Sequence, residues 1–299
     1  LFFEYIKKLH KRKTSTGLHV ESYLSSLNLL EAYDKDLTFE DITINFYHNY
    51  ITHLFALNYS KNYVGVQIKN IKTIMNAAFN EKPPLHQNLD FKRNDFKKPT
   101  AKTFSISLSP IDIHKIYITK DLPKRLEVTR DRFILACDTG LRFQNWEDVH
   151  DGNIKEYQGK KVLVIFTHKK DKIVAIPPSR RVIKILNKYN GKLPPIRSNR
   201  EVNESLKEIG KLAGLNRTTQ KVVQRKNKES TNVPLFELLH SHCARISFVT
   251  NLKNLGVQDS DIIKMTGHAS VKSMTTYDKE SAVENALKIQ KHITINQYF

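Results

Sequence analysis

One stretch limits the fold more than any other. Lys161 to Thr167 reads KVLVIFT, β-branched and aromatic. The polar residues His168-Lys169-Lys170-Asp171 follow, and Lys172 to Ile176 (KIVAI) then runs into Pro177-Pro178. Two short apolar runs around a polar turn predict a β-hairpin. Nearly everything around it repeats apolar residues at helical spacing. The expected fold is therefore mainly α with a small β-sheet or hairpin, and 299 residues suit about two domains.

The first 80 or so residues read as helices. Leu1 to Lys11 mixes Phe2, Phe3, Tyr5 and Ile6 with lysines, and Val20 to Tyr33 is periodic. Thr38 is expected to cap a third helix reaching about Leu57, with Glu40 and Asp41 in its first turn against the dipole. Ser60 caps a fourth, in which Val64, Ile68, Ile71, Met75 and Phe79 form an apolar stripe. Lys61, Lys69, Lys72 and Asn76 lie off that stripe, a basic, amide-bearing face able to meet a DNA groove or simply water. Pro83-Pro84 stops this helix, and the Lys-, Asn- and Asp-rich stretch 83–108 reads as a linker. Ser109-Pro110 then caps a helix over 110–118, and another covers about 124–138, ending at Thr139-Gly140. Beyond the hairpin, helices are expected over about 180–190, 201–213, 235–254, 258–266, 270–277 and 280–291. The domains expected are 1–82 and 109–299.

Charge points to a polyanion. Lys and Arg number 49 against 30 Asp and Glu, a net +19, and residues 151–200 alone hold 13 against 3. A ribosomal-type or merely basic protein would share this excess. Two cysteines, Cys137 and Cys243, can build neither a disulfide framework nor a Cys-based zinc site, and they suit a reducing intracellular setting. No apolar run approaches the ~18 residues of a membrane span and no signal-peptide pattern opens the chain. Membrane and secreted classes are excluded. Opening on Leu-Phe-Phe without a Met, the chain reads as trimmed from something longer.

There is no G-x-S-x-G elbow, phosphate-binding glycine loop, Rossmann glycine pattern or H-E-x-x-H. His240 and His242, two apart on a helix, are not expected to face one another, so neither a metal nor any other cofactor is expected. What remains is a scattered set. Arg142 follows a glycine turn in Thr139-Gly140-Leu141-Arg142, Lys169 sits at the hairpin tip, and His242 and Arg245 fall three apart on one helical face. Gly267-His268 lies at a helix junction, with Tyr277 nine residues after His268. Each alone has an ordinary explanation: an ion pair, an exposed turn, a core histidine, an amphipathic core tyrosine.

Together these residues resemble the tyrosine recombinase (phage integrase) family, in its branch of mobile-element integrases and transposases. TGLR (139–142) is similar to its first-arginine box, HCAR (242–245) to its H-x-x-R box, and TGHASVKSMTTYD (266–278) to the box that joins the last histidine to the nucleophilic tyrosine. HKKDKIVAIPP (168–178) resembles the hairpin of the catalytic lysine, its final Ile-Pro selecting Lys169 over Lys170. The resemblance covers about 105–285, and the helices before it look like the family's core-binding, SAM-like domain. One departure stands out. Three residues past Arg142 the family usually has an acidic residue, and here Asn145 holds the place, with Glu147 or Asp148 as candidate substitutes. The branch also carries an arm-site domain further N-terminal, and this chain begins too late to contain one.

These residue types suit attack of a tyrosine on a phosphodiester. Two permanently charged, forked guanidiniums, Arg142 and Arg245, match the oxygens of the pentacoordinate phosphoryl group, with His242 or His268 adding donors. The Tyr277 phenol, with a reference pKa of about 10, needs a base, for which His242 is the family's usual choice. The resemblance assigns protonation of the leaving 5′ oxygen to Lys169. It further implies a 3′-phosphotyrosyl intermediate, strand exchange within a homotetramer on double-stranded attachment-site DNA, and a C-terminal helix docked on a neighbour. Accessory DNA-bending or excision proteins would be further partners, and the setting the bacterial cytoplasm, nucleoid-associated when bound. Rival readings are a type IB topoisomerase, a DNA-binding module without chemistry and an RNA-binding protein.

Overall fold

The computed structural model describes residues 1–16, 21–101, 105–167 and 172–267. The helices expected over 270–277 and 280–291 lie outside them. Two compact units result, residues 1–104 with 222–231, and 105–221 with 232–299.

The first unit is a helical bundle of α1 (Phe2–Ser15), α2 (Glu21–Tyr33), α3 (Ile44–Ala56) and α4 (Lys61–Phe79). Its core is rich in aromatic rings, with Phe2, Tyr47 and Tyr50 buried beside Leu30, Leu54 and Ile68. On α4 the expected stripe faces inward, Val64, Ile68, Ile71 and Met75 being fully buried and Phe79 partly so. Ser60 caps this helix as read, its hydroxyl accepting from the Tyr63 amide.

Thr38 does not cap α3. Its amide and hydroxyl both donate to Asp41, closing a separate turn, and the helix begins only at Ile44 behind Thr43, whose side chain accepts from the Phe46 amide. An Asp two or three residues after a hydroxyl residue satisfies a turn as readily as a cap, and here the turn wins. Asp90, remote in sequence, accepts from the Ile44 amide and so fixes where α3 starts.

Residues 83–101 are held against this bundle. Phe91 and Phe96 are buried, each contributing roughly 1.5–3 kcal/mol by leaving water. Tyr47 donates to the Lys97 carbonyl (2.8 Å), and Asn62 both donates to and accepts from Ala101. Gly65 makes room for this crossing, since a Cβ there would stand 2.0 Å from the Pro99 carbonyl oxygen.

The second unit is built around α6 (Lys124–Thr139), flanked by α5 (Pro110–Ile118), α7 (Arg180–Lys188), α8 (Asn199–Leu212) and α9 (Ser241–Asn254). Phe133, Ile134, Leu135, Ala136 and Cys137 are consecutive and buried, so α6 is apolar all round toward its C-terminal end, as a helix inside a core must be. The hairpin forms as read, as β2 (Lys160–Thr167) and β3 (Lys172–Ile176), antiparallel with Leu163 opposite Ile176 and Ile165 opposite Val174. β1 (Ile154–Tyr157) adds a third strand on the β2 edge. A second, polar hairpin, β4 (Thr218–Gln224) with β5 (Lys228–Pro234), whose residues 222–231 belong to the first unit, had no hydrophobic alternation to announce it. The helix expected over 235–254 is broken. A 3₁₀ turn covers Leu235–Leu238, Leu239 and His240 are extended, and α9 starts at Ser241. α10 (Asp259–Thr266) follows.

Gly65→Ala is expected to lower the stability of the first unit by about 1–3 kcal/mol, because backbone, not a flexible side chain, meets the new methyl. Thermal melting of the whole chain, with limited proteolysis mapped to residues 93–101, measures it. A melting temperature and cleavage pattern equal to wild type would contradict the account.

Candidate active site

The arginines are positioned by helix ends. α6 stops at Gly140, which takes the left-handed conformation (φ 66°) and bonds its amide to the Ala136 carbonyl. A Cβ at Gly140 would also fall 2.3 Å from Cδ1 of Phe248 on α9, so both backbone angle and space demand glycine. Leu141 is buried behind it, and Arg142 emerges in extended conformation at the head of a 3₁₀ turn, Phe143–Asp148.

Arg245 projects from the second turn of α9 and is buried. Its Nη1 donates to the Gly140 carbonyl (2.7 Å) and its Nη2 to the Thr266 carbonyl (2.8 Å). Arg142 reaches the next carbonyl along, Gly267, through Nη2 at 3.5 Å. Gly267 is again left-handed (φ 62°) and caps α10. Two guanidiniums thus gather at the C-terminal ends of α6 and α10, where unpaired carbonyls favour cations. Burial first, then the repulsion of Arg142, pulls the Arg245 pKa down to about 10, which still leaves it charged at neutral pH. Arg142 forms no salt bridge with any described residue.

His242 stands one turn before Arg245 and is exposed. Partial burial, then Arg245 and Arg142, push its pKa below the ordinary 6.5, so the imidazole is held neutral and able to accept a proton. Contrary to expectation, His240 and His242 do face each other, with rings parallel within 9° and centroids 6.4 Å apart. His240 is the N-cap residue of α9 with extended backbone, so the helical geometry that separates positions two apart does not hold there. Between them Ser241 is pinned to α8, its amide donating to Asn203 and its hydroxyl to Asn199, each at 2.7 Å. These asparagines were missed in the sequence; spaced by four residues behind the Ser198 cap, they share a helical face.

Asn145, in the place of the expected acid, is buried and donates to Asp148 Oδ2 at 2.8 Å, while its amide donates to the Arg142 carbonyl. Of the two substitutes considered, Glu147 is turned away to accept from the Ile196 amide, and Asp148 is the carboxylate beside Asn145.

The structure therefore brings together Arg142, His242 and Arg245. Lys169, His268 and Tyr277 lie outside the described residues, although Gly267, next to His268, is against Arg142. The candidate DNA-contacting lysines separate. Lys69 is exposed and Lys61 half-exposed, but Lys72 is committed inward, donating to the Phe96 carbonyl at 2.7 Å and lying over the Phe96 ring. Lys72 thereby fastens the 83–101 stretch. Among the described residues no cluster of His, Cys, Asp and Glu could hold a metal, and no helix is long and apolar enough to cross a membrane.

Family models match on both sides of the chain, the phage integrase SAM-like domain over residues 1–90 and the phage integrase family over 112–283. The virulence plasmid integrase pGP8-D of Chlamydia trachomatis is 51% identical over 47 residues, which are 16% of this chain and 14% of that protein. A lambda integrase dimer bound to a core site superposes with a TM-score of 0.62 at 15% identity, covering 93% of this chain and 98% of that one. The Tn1549 transposon integrase in complex with transposon right-end DNA gives 0.61 at 12% identity, covering 97% and 98%. The XerH site-specific recombinase on its difH substrate gives 0.59 at 14%, covering 90% and 79%.

The His242 imidazole is expected to titrate below 6.5 in the free protein, and Arg142→Gln to raise that value while leaving it short of normal, since burial persists. As the folded imidazole binds its proton less readily than the unfolded one, this group's contribution to stability is present above pH 6.5 and is lost as pH falls from there through the lower folded value. Histidine ring NMR titration of both proteins, assigned through His242→Gln, reads the shift. An unmoved value in Arg142→Gln would show that the guanidinium does not act on this ring.

Proposed function

The chain belongs to the phage integrase family, and from that premise we propose that it is a site-specific DNA recombinase that cuts and rejoins double-stranded DNA through a 3′-phosphotyrosyl link to Tyr277, for integration or excision of a mobile element. The observation that carries this reading is the convergence of Arg142, His242 and Arg245, from positions 103 residues apart, at two helix C-termini. Nothing in ordinary packing calls for two guanidiniums and a neutral imidazole at one spot; a tetrahedral anion passing to a pentacoordinate one does.

In this reading the scissile phosphate lies against Arg142 and Arg245, which hold its non-bridging oxygens. The phenol oxygen of Tyr277 attacks phosphorus as its proton passes to the neutral ring of His242. The bond to the 5′ oxygen breaks, and Lys169 supplies that oxygen with a proton. His268 adds a donor to the phosphoryl group. Bond energy is retained in the phosphotyrosine, so a 5′-hydroxyl from a second duplex can displace the tyrosine without ATP, metal or other cofactor. Truncating either arginine would cost about 10²–10³ in cleavage rate.

The helical bundle of the first unit serves as the core-binding domain, with Lys61 and Lys69 on phosphates, and residues 109–299 as the catalytic domain with a C-terminal exchange helix. A homotetramer on two attachment sites carries out exchange in the bacterial cytoplasm, with accessory bending or excision proteins setting direction. Asp148 supplies the carboxylate that the Asn145 position lacks, which favours an active enzyme over a decayed DNA-binding module.

The test is a nicked suicide duplex carrying the element's ends, with adducts resolved under denaturing conditions. A covalent protein–DNA species is expected from the wild type and not from Tyr277→Phe, which keeps its affinity for the same duplex. Binding with no adduct at any phosphate would leave the module reading; plasmid relaxation without exchange between two sites would leave the topoisomerase.

A further inference from the structure

His242 and Arg245 lie one turn apart on α9 and are held by different means. Arg245 is gripped through its own side chain, by the Gly140 and Thr266 carbonyls. Among the described residues nothing hydrogen-bonds the His242 ring, so its place depends on the backbone that carries it and on the parallel ring of His240. That backbone is the first turn of a helix, where amides have no partner within the helix. α9 supplies no cap of its own, for the side chain of its N-cap residue, His240, accepts from no amide. The missing cap comes from α8. Asn203 accepts from the Ser241 amide and Asn199 from the Ser241 hydroxyl, both at 2.7 Å, and Ser241 is buried. Seven residues past Asn203, Gly210 leaves no room for a Cβ, which would stand 2.4 Å from Leu239 Cδ1 and 3.0 Å from Phe236 Cβ. Positions 199, 203 and 210 share one helical face, so a single stripe of α8 meets the chain from Phe236 to Ser241. A helix that begins there cannot shift its start by a residue without losing two hydrogen bonds and a close apolar fit.

We propose that Asn199 and Asn203 are positioning residues for His242: by capping α9 from α8 they hold the imidazole at the station of the general base. The inference rests on the recombinase reading, in which that imidazole takes the phenol proton. Neither asparagine touches the reacting atoms; both act through Ser241. Arg245 does not depend on them, since the carbonyls of Gly140 and Thr266 fix it. Loss of the clamp therefore separates the base from the guanidiniums that bind phosphate. A displacement of about 1 Å is enough to slow a proton transfer severely, and it leaves the charge that attracts DNA unchanged.

The experiment uses the whole chain and the nicked suicide duplex, reading single-turnover adduct formation and DNA affinity together at about pH 7 to 9. Asn203→Leu, close in size but without an acceptor, is expected to bind the duplex with wild-type affinity and to form the adduct roughly ten- to a hundredfold slower at neutral pH. Its rate climbs with pH toward the phenol's own pKa of about 10, whereas the wild-type rate is level once the imidazole is neutral. Asn203→Asp, which keeps an oxygen for the Ser241 amide, restores the rate. In a His242→Gln background Asn203→Leu causes no further loss, because the asparagine acts only through that ring. A wild-type rate in Asn203→Leu, a loss that Asn203→Asp does not relieve, or an equal added loss beside His242→Gln would each overturn the clamp. Affinity falling in step with the rate would make Asn203 a residue of folding alone and overturn it as well. Failure of the wild type itself to form an adduct would remove the recombinase reading on which the clamp rests, a result separable from every comparison between variants.

Discussion

Arg245 ties the second unit together at one point. Its guanidinium spans the Gly140 carbonyl that ends α6 and the Thr266 carbonyl that ends α10, residues 126 positions apart in the chain. Burying a cation is costly unless its donors are met, and here two are met by carbonyls that the helix geometry leaves without partners. The arrangement is economical in another sense. Each carbonyl carries only part of a negative charge, so these two bonds leave most of the guanidinium's positive charge in place. The strictness of Gly140 follows from this. Its left-handed turn sets the carbonyl toward Arg245 while its missing Cβ lets Phe248 close in, and the same turn sends Arg142 to the Gly267 carbonyl.

α6 can present this end because it is anchored along its length. Asp138 accepts from Ser179 and Arg181 at the start of α7, and Asp131 accepts from Lys188 and Tyr189 at its end. On another side, buried Arg132 donates to the carbonyls of Trp146, Leu193 and Pro194. Trp146 belongs to the turn that Arg142 heads, so a charge inside the helix supports the loop that leaves it. Within that turn Asn145 joins the Arg142 backbone to Asp148. An acid expected at one position is present three residues later, reached through an amide. Buried ionic groups of this kind add little net stability, but each admits a single geometry, which a site made of dispersed residues requires.

Much of this could be read from residues alone, and the exceptions have physical causes. The α4 stripe, the β2–β3 hairpin and the His242–Arg245 spacing were legible because each is a periodic pattern that burial or a helix face enforces. The start of α3 was not, since Thr38 and Thr43 are chemically similar caps and the choice between them is made by Asp90 from 46 residues away. β4 and β5 were silent because their residues, TTQKVVQ and KESTNVP, carry no alternation. The stretch from 83 to 101 looked like a linker for the same reason, its two anchoring rings, Phe91 and Phe96, being too sparse to show a period. Lys72 appeared fit to meet DNA on spacing alone, yet a neighbouring carbonyl and ring claim it. The meeting of His240 with His242 depended on where a helix begins, the property least visible in sequence.

The electrostatics of the site also bear on when it can react. His242 is neutral because it is partly buried beside two guanidiniums, which makes its lone pair available. In the proposed reaction the same neighbours oppose proton transfer, for an imidazole that takes the phenol proton would become a third cation among them. That opposition lasts only while the site is empty of anions. A phosphodiester seated on Arg142 and Arg245 brings a full negative charge to the point where repulsion was greatest, and the phosphoryl group gains more as it becomes pentacoordinate. The affinity of His242 for a proton therefore rises on binding and rises again toward the transition state. In the proposed reaction an imidazole tuned in this way would be a weak base toward solvent and a stronger one toward a tyrosine attacking bound DNA, so that the substrate's own charge would complete the base.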